Sequence, residues 1–172
     1  MSTKLFAKAI DTSYSSVQRQ VLLVDSLARL KENRPLFVVD GMIEDSVADK
    51  INAQNLLQTY LLKPPESTNI YGEAGKNGTL LISTLEFGAV YCRRKLSELS
   101  FAYRYYMALN KNDDSGLVYI LNGVVLNGEE SRIVRKLYDQ IEKIKAVIFV
   151  EKFSKKLDLN NPKPIVVITT AK

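Results

Sequence analysis

Two adjacent segments interleave aromatic rings with cations: Ala89-Val90-Tyr91-Cys92-Arg93-Arg94-Lys95-Leu96 and Phe101-Ala102-Tyr103-Arg104-Tyr105-Tyr106-Met107. In extended strands, side chains alternate faces with period two. Val90, Cys92 and Leu96 then share an apolar face with Phe101, Tyr103, Tyr105 and Met107. Tyr91, Arg93, Lys95, Arg104 and Tyr106 occupy the other face. Flat rings beside cations are the chemistry that holds a single strand, because bases stack on rings while cations neutralise phosphates. Arg94 points inward under strict alternation and is expected at a bulge or edge. Arg132, Arg135, Lys136, Lys143 and Lys145, on a helix further along, extend the basic surface, with Asp139 and Glu142 pairing part of that charge.

A second constellation is acidic. Val38-Val39-Asp40-Gly41 is followed by Glu44, Asp45 and Asp49, and an acid ending a buried strand can hold a divalent ion for phosphoryl chemistry. Glu151, after Val147-Ile148-Phe149-Val150, supplies a second carboxylate. Strand-end Asp-Gly is equally a turn, and acids in a first helical turn equally offset the helix dipole. Gly72-Glu73-Ala74-Gly75-Lys76-Asn77-Gly78-Thr79 fails the phosphate-loop pattern, since Asn77 follows the lysine and the glycines stand too close. With no histidine and one cysteine, Cys92, His-based acid–base catalysis, Ser-His-Asp triads and His or Cys zinc sites are excluded. No internal disulfide can form, which suits a reducing compartment. No enzyme activity and no cofactor are expected.

The 172 residues are 46% hydrophobic and 25% charged, an ordinary globular composition that can bury a core unaided. No apolar run is long enough for a membrane span, and the N-terminus lacks a signal core, so a cytoplasmic protein is expected. Residues 1–88 hold 9 Lys/Arg against 10 Asp/Glu, a net of −1. Residues 89–172 hold 15 against 9, a net of +6, the footprint of a polyanion binder.

The elements expected to position these groups begin with a helix over 13–31, capped by a serine, with Val17, Val21, Val24, Leu27 and Leu30 at helical spacing. A strand over 36–39 and a second helix over 44–62 follow, ended by Lys63-Pro64-Pro65. Residues 66–78 read as a loop. Strands are expected over 79–87, 89–96 and 100–109, then over 117–121 and 124–126, with Asn122-Gly123 a break or a type I′ hairpin turn. Asn127 and Glu130 form a capping-box pattern before a helix carrying Ile133, Leu137, Ile141 and Ile144. Strands over 146–150 and 165–169 flank a basic loop. No internal repeat stands out. Residues 1–66 thus form an N-terminal helical part and 67–172 a sheet-plus-helix part, within one compact unit. The fold class is α+β: an antiparallel sheet backed by a helix, with a helical extension. A rival parse makes 83–109 one helix and leaves strands 36–39, 117–121, 146–150 and 165–169 in an open α/β sheet.

The strand, strand, strand, strand, helix order over 79–145, with Gly123-Val124-Val125-Leu126-Asn127-Gly128-Glu129-Glu130 leading into the helix, resembles the unit of Whirly and PUR-type single-strand binders. That resemblance implies a curved sheet presenting aromatic and basic residues to RNA or single-stranded DNA. It covers about sixty-five residues, and residues 1–62, read mostly as helix, depart from it. Small size, no His or Trp and a basic C-terminal half also resemble the ChmC (chimallin C) family, RNA-binding proteins associated with the nuclear shell of jumbo phages. This second resemblance implies mRNA binding in a bacterial host's cytoplasm beside a phage shell protein. Single-stranded RNA or DNA is therefore the expected partner. A homo-oligomer is left open, and no membrane partner is expected. The runner-up functions are a divalent-metal nuclease or phosphohydrolase using Asp40 and a structural subunit.

Overall fold

The computed structural model describes residues 15–47, 50–151 and 163–171. It divides into two compact units, Met1–Phe87 and Gly88–Lys172, each with its own core. The fold class is α+β, with helices and two four-stranded sheets.

In the first unit, α1 (Ser16–Ala28) begins at a full capping box. The Ser15 hydroxyl accepts from the Gln18 amide at 3.2 Å, and the Gln18 side chain accepts from the Ser15 amide at 2.8 Å. Val24 and Leu27 are buried from its inner face. β1 (Leu36–Val39) turns through Asp40-Gly41 into β2 (Met42–Glu44). Both turn residues are left-handed, at φ 51° and 87°, the backbone a type I′ hairpin requires. β3 (Leu56–Leu62), the short α2 (Glu66–Tyr71) and β4 (Thr79–Thr84) complete the unit.

The helix expected over 44–62 does not form. Asn52 accepts from the amides of Gln54 and Asn55, while Asn55 accepts from the amide of Asn52. These side chains take backbone donors that a helix would need, as asparagine does in turns. Val47 and Ile51 still reach the core, from loop rather than helix. The loop expected over 66–78 contains α2 and a 3₁₀ turn, Gly72–Gly75. Gly75 lies so close to Ser67 that a Cβ would sit 2.4 Å from its carbonyl oxygen, so this glycine serves packing, not phosphate binding.

The second unit carries most of α3 (Leu85–Leu99), then α4 (Phe101–Leu109), β5 (Val118–Leu121), β6 (Val124–Leu126), α5 (Glu130–Tyr138), β7 (Ile144–Val150) and β8 (Ile165–Thr170). The strands expected over 89–96 and 100–109 are therefore helices. Val, Tyr and Cys favour strands, but tertiary burial overrides that preference. Ala89, Cys92 and Leu96 bury one side of α3, and Tyr103 and Met107 bury one side of α4, at steps of three and four residues. Ser100 separates the helices, its hydroxyl accepting from the Tyr103 amide. Gly88 is absorbed inside α3, where a glycine costs about 1 kcal/mol relative to alanine. At α5 the cap is Glu129 rather than Asn127.

Both sheets have one topology. Their orders are β2-β1-β4-β3 and β6-β5-β8-β7, with the middle pair parallel and the outer pairs antiparallel. The sheets are mixed rather than wholly antiparallel, and the strands of the rival parse divide between two sheets. The boundary falls at Phe87/Gly88, not after residue 66, and residues 36–62 hold three strands. The correspondence runs deep. Asn122-Gly123 repeats Asp40-Gly41 with φ 50° and 82°, and a register shift recurs at Leu56/Gln58 and Ile144/Ala146. The Asp40 amide donates to the Ile82 carbonyl and the Asn122 amide to the Ile168 carbonyl, both at 2.9 Å. The chain therefore contains a structural repeat that residue identity does not advertise.

Candidate functional site

Helical spacing regroups the rings and cations expected on one sheet face. On α3, Tyr91, Arg94 and Lys95 become neighbours, because residues three and four apart share a helix face. The Arg94 guanidinium lies 5.1 Å from the Tyr91 ring centre and the Lys95 ammonium 5.8 Å, within cation–π range. The ring tilts against Tyr138 at 5.9 Å, and its hydroxyl donates to Glu142. That hydrogen bond, then burial, raises the Tyr91 hydroxyl to about 12. Weak ion pairs at 3.9 Å join Arg94 to Glu98 and Lys95 to Glu142, leaving both cations close to solvent.

α4 presents a second ring-and-cation group. Phe101 and Tyr105, one turn apart, stack at 6.4 Å with 15° between their planes. They are 73% and 58% exposed. Arg104 places its guanidinium 5.2 Å above the Phe101 ring. Period-two alternation would send Phe101 and Tyr105 inward. Their i,i+4 spacing was the signal that could have marked them as surface partners.

Two of the expected site residues turn away from the ring-and-cation cluster and are half-buried. Arg93 turns from Tyr91 and grips Asp114 with Nε at 3.1 Å and Nη2 at 2.8 Å, and Nη2 also reaches Glu130 at 2.9 Å. The Asp114 hydrogen bond, against the opposing effect of burial, raises the Arg93 pKa above its ordinary value. Tyr106 packs inward, 5.2 Å from the Phe149 ring, with its hydroxyl against Gly116. Arg132 and Lys136 remain exposed on α5. The basic residues Lys152, Lys155, Lys156 and Lys172 lie outside the described residues.

Beneath α3 lies a cavity of about 470 Å³, its floor made by Cys92, Leu96, Leu117, Val134 and Leu137. Its rim carries Arg93, Lys111, Asn112, Asp113, Asp114 and Glu130. A smaller groove of about 280 Å³ runs past Val90, Arg94, Ser97 and Met107. Arg93 and Asn112 line both hollows. Below the rim, Tyr119 donates to Asp114 at 2.8 Å and shares a hydrogen bond with Tyr103 at 3.2 Å.

The acidic residues do not assemble. Asp40 uses both carboxylate oxygens on Thr84, accepting from its amide and its hydroxyl at 2.8 Å each. Asn122 contacts Thr170 at the same two atoms with one direction reversed: its Oδ1 accepts from the Thr170 amide at 3.0 Å, and its Nδ2 donates to the Thr170 hydroxyl at 2.9 Å. A neutral amide thus performs the same task in the twin turn, so the role common to both positions is to pin the hairpin to its neighbour strand. Glu44 pairs with Lys50 at 2.6 Å. Asp49 lies outside the described residues, and among those described no three His, Cys, Asp or Glu side chains converge as metal ligands. Among them, too, no helix is long and apolar enough to cross a membrane. Comparison with protein-family models, curated proteins and solved structures finds no match to this chain.

Proposed function

We propose that this chain binds single-stranded nucleic acid, RNA in preference to DNA, without enzymatic turnover. The observation that carries the proposal is the exposed Phe101–Tyr105 stack beneath Arg104, on the same unit as the Tyr91, Arg94 and Lys95 cluster. An exposed phenylalanine gains nothing from water. A base laid on it gains about 1–3 kcal/mol, whatever its identity. The charge distribution supports the same reading: Phe87 and Gly88 are uncharged, so the first unit keeps the net of −1 and the second the net of +6. The preference for RNA, and a place beside a phage shell, rest on the ChmC resemblance.

The test is titration of single-stranded RNA, single-stranded DNA and duplex at two salt concentrations. Affinity for single strands should fall steeply with salt. It should fall about 5- to 150-fold further in Phe101→Ala combined with Tyr105→Ala, the range that about one to three kcal/mol implies. Binding indifferent to both changes would overturn the proposal. The Asp40 hydrolase loses its support in the Asn122 comparison. A structural-subunit reading keeps one specific observation. Edge strands β2 and β6 expose Met42 and Ile43, and Val124 and Val125, at matching positions. Size-exclusion mass with and without RNA separates that reading from the first.

A further inference from the structure

We infer that the cavity beneath α3 receives one unstacked nucleobase of the bound strand, and that it favours bases carrying an exocyclic amine. The inference rests on the single-strand reading above and adds a site and a selectivity to it.

Three observations place a base there. The first is size and lining: about 470 Å³ with an apolar floor and a polar rim is the build of a small-molecule pocket, and it is roomy enough for a heterocycle. The second is continuity. Arg93 and Asn112 belong both to this cavity and to the groove past Arg94, whose guanidinium lies over Tyr91. A strand held at Arg94 therefore passes the cavity mouth. The third is charge. Asp113, Asp114 and Glu130 stand at the rim against Arg93 and Lys111, and Arg93 is already taken by Asp114 and Glu130. Arg93 and Tyr119 already fill both Asp114 oxygens, so the second oxygens of Asp113 and Glu130 are the rim acceptors for an amino group, and their charge disfavours a phosphate there. Carboxylates accept from cytosine N4 in this way. Uracil offers a carbonyl oxygen at that position and loses the contact. Phosphates thus stay on the cations of α3 and α4 while a base turns in, as single-strand readers splay bases from the backbone.

The experiment uses the full chain. Ser115→Trp and Ile133→Trp each place a ring into the cavity from a different wall, with folding checked by circular dichroism. Ser115 is on an exposed loop, so that variant remains informative should the half-buried Ile133 position prove intolerant. The probes are oligocytidine, oligouridine and an abasic ribose-phosphate strand of equal length. Wild type should prefer oligocytidine to oligouridine about five- to twentyfold. Ser115→Trp should erase that preference and weaken oligocytidine binding by a similar factor, leaving the abasic strand unaffected. Equal binding of both oligomers by wild type, or a preference that survives Ser115→Trp, overturns the inference while leaving the single-strand reading in place. A wild-type chain that binds none of the strands overturns that reading instead, and the pocket's role in it.

Discussion

Cys92 is 2% exposed at the cavity floor, and burial pushes its thiol up to about 12. A thiol so placed is a small apolar side chain rather than a nucleophile. Thiol reagents at pH 8 should leave it unmodified in the native protein and label it fully once urea unfolds the chain; rapid native labelling would contradict the packing of α3. Its neighbours make a related prediction. Burial is the first cause that raises Tyr103 to about 12, and burial raises Tyr119 as well. In the unfolded chain both ionise near their ordinary value of about 10. Because the folded values lie higher, the contribution of both is complete below about pH 10 and falls above it, that of Tyr103 being lost as pH climbs through about 12. Urea midpoints should hold up to pH 9 and drop from pH 10 upward. In Tyr103→Phe with Tyr119→Phe that drop should shrink.

The paired hairpins set the expectation at the level of elements. Asp40→Asn copies the twin position, so it should change unfolding free energy by no more than about 0.5 kcal/mol, as a substitution that keeps its hydrogen bonds does. Asp40→Ala removes both bonds to Thr84 and should cost about 1–3 kcal/mol, read from urea unfolding. A large loss in Asp40→Asn would mean that the negative charge itself matters there. The Asn122-Gly123 hairpin was readable in advance because its dipeptide demands a left-handed backbone. Asp40-Gly41 read only as a strand end and turn, since Glu44 and Asp45 beyond it suggested the first turn of a helix. α3 and α4 were misread for a different reason. Their apolar residues satisfy a period of two and a period near four over so short a span, and only the neighbours they pack against select one.

On the scale of the whole molecule, two cores share one chain. Val24, Phe37, Leu56, Leu80 and Ile82 build the first, and Cys92, Leu96, Tyr103, Val166 and Ile168 build part of the second. Every residue assigned here to strand binding lies in the second unit. A fragment of residues 85–172 should therefore give dispersed amide resonances and keep single-strand affinity within about threefold, while residues 1–84 bind weakly. A fragment that folds but does not bind would assign the first unit a share of the site. Residues 36–62, of which only 36–39 read as strand, hold three of the four repeated strands, hidden under asparagine turns and short runs with helical spacing.

Composition and spacing alone determined the α+β class, the capped first helix, the strands at 36–39, 117–121, 146–150 and 165–169, the absence of histidine chemistry and the basic second half. Each of these follows from local rules or from counting. Tertiary structure alone decided which rings meet which cations. Whether Arg93 joins Tyr91 or crosses to Asp114 depends on a period of 2 or 3.6, and that choice was made by the burial of Cys92, Leu96, Tyr103 and Met107 against strands far along the chain. The repeat likewise became visible only in three dimensions, because strand pairing and a left-handed turn constrain backbone geometry and leave most side-chain identities free.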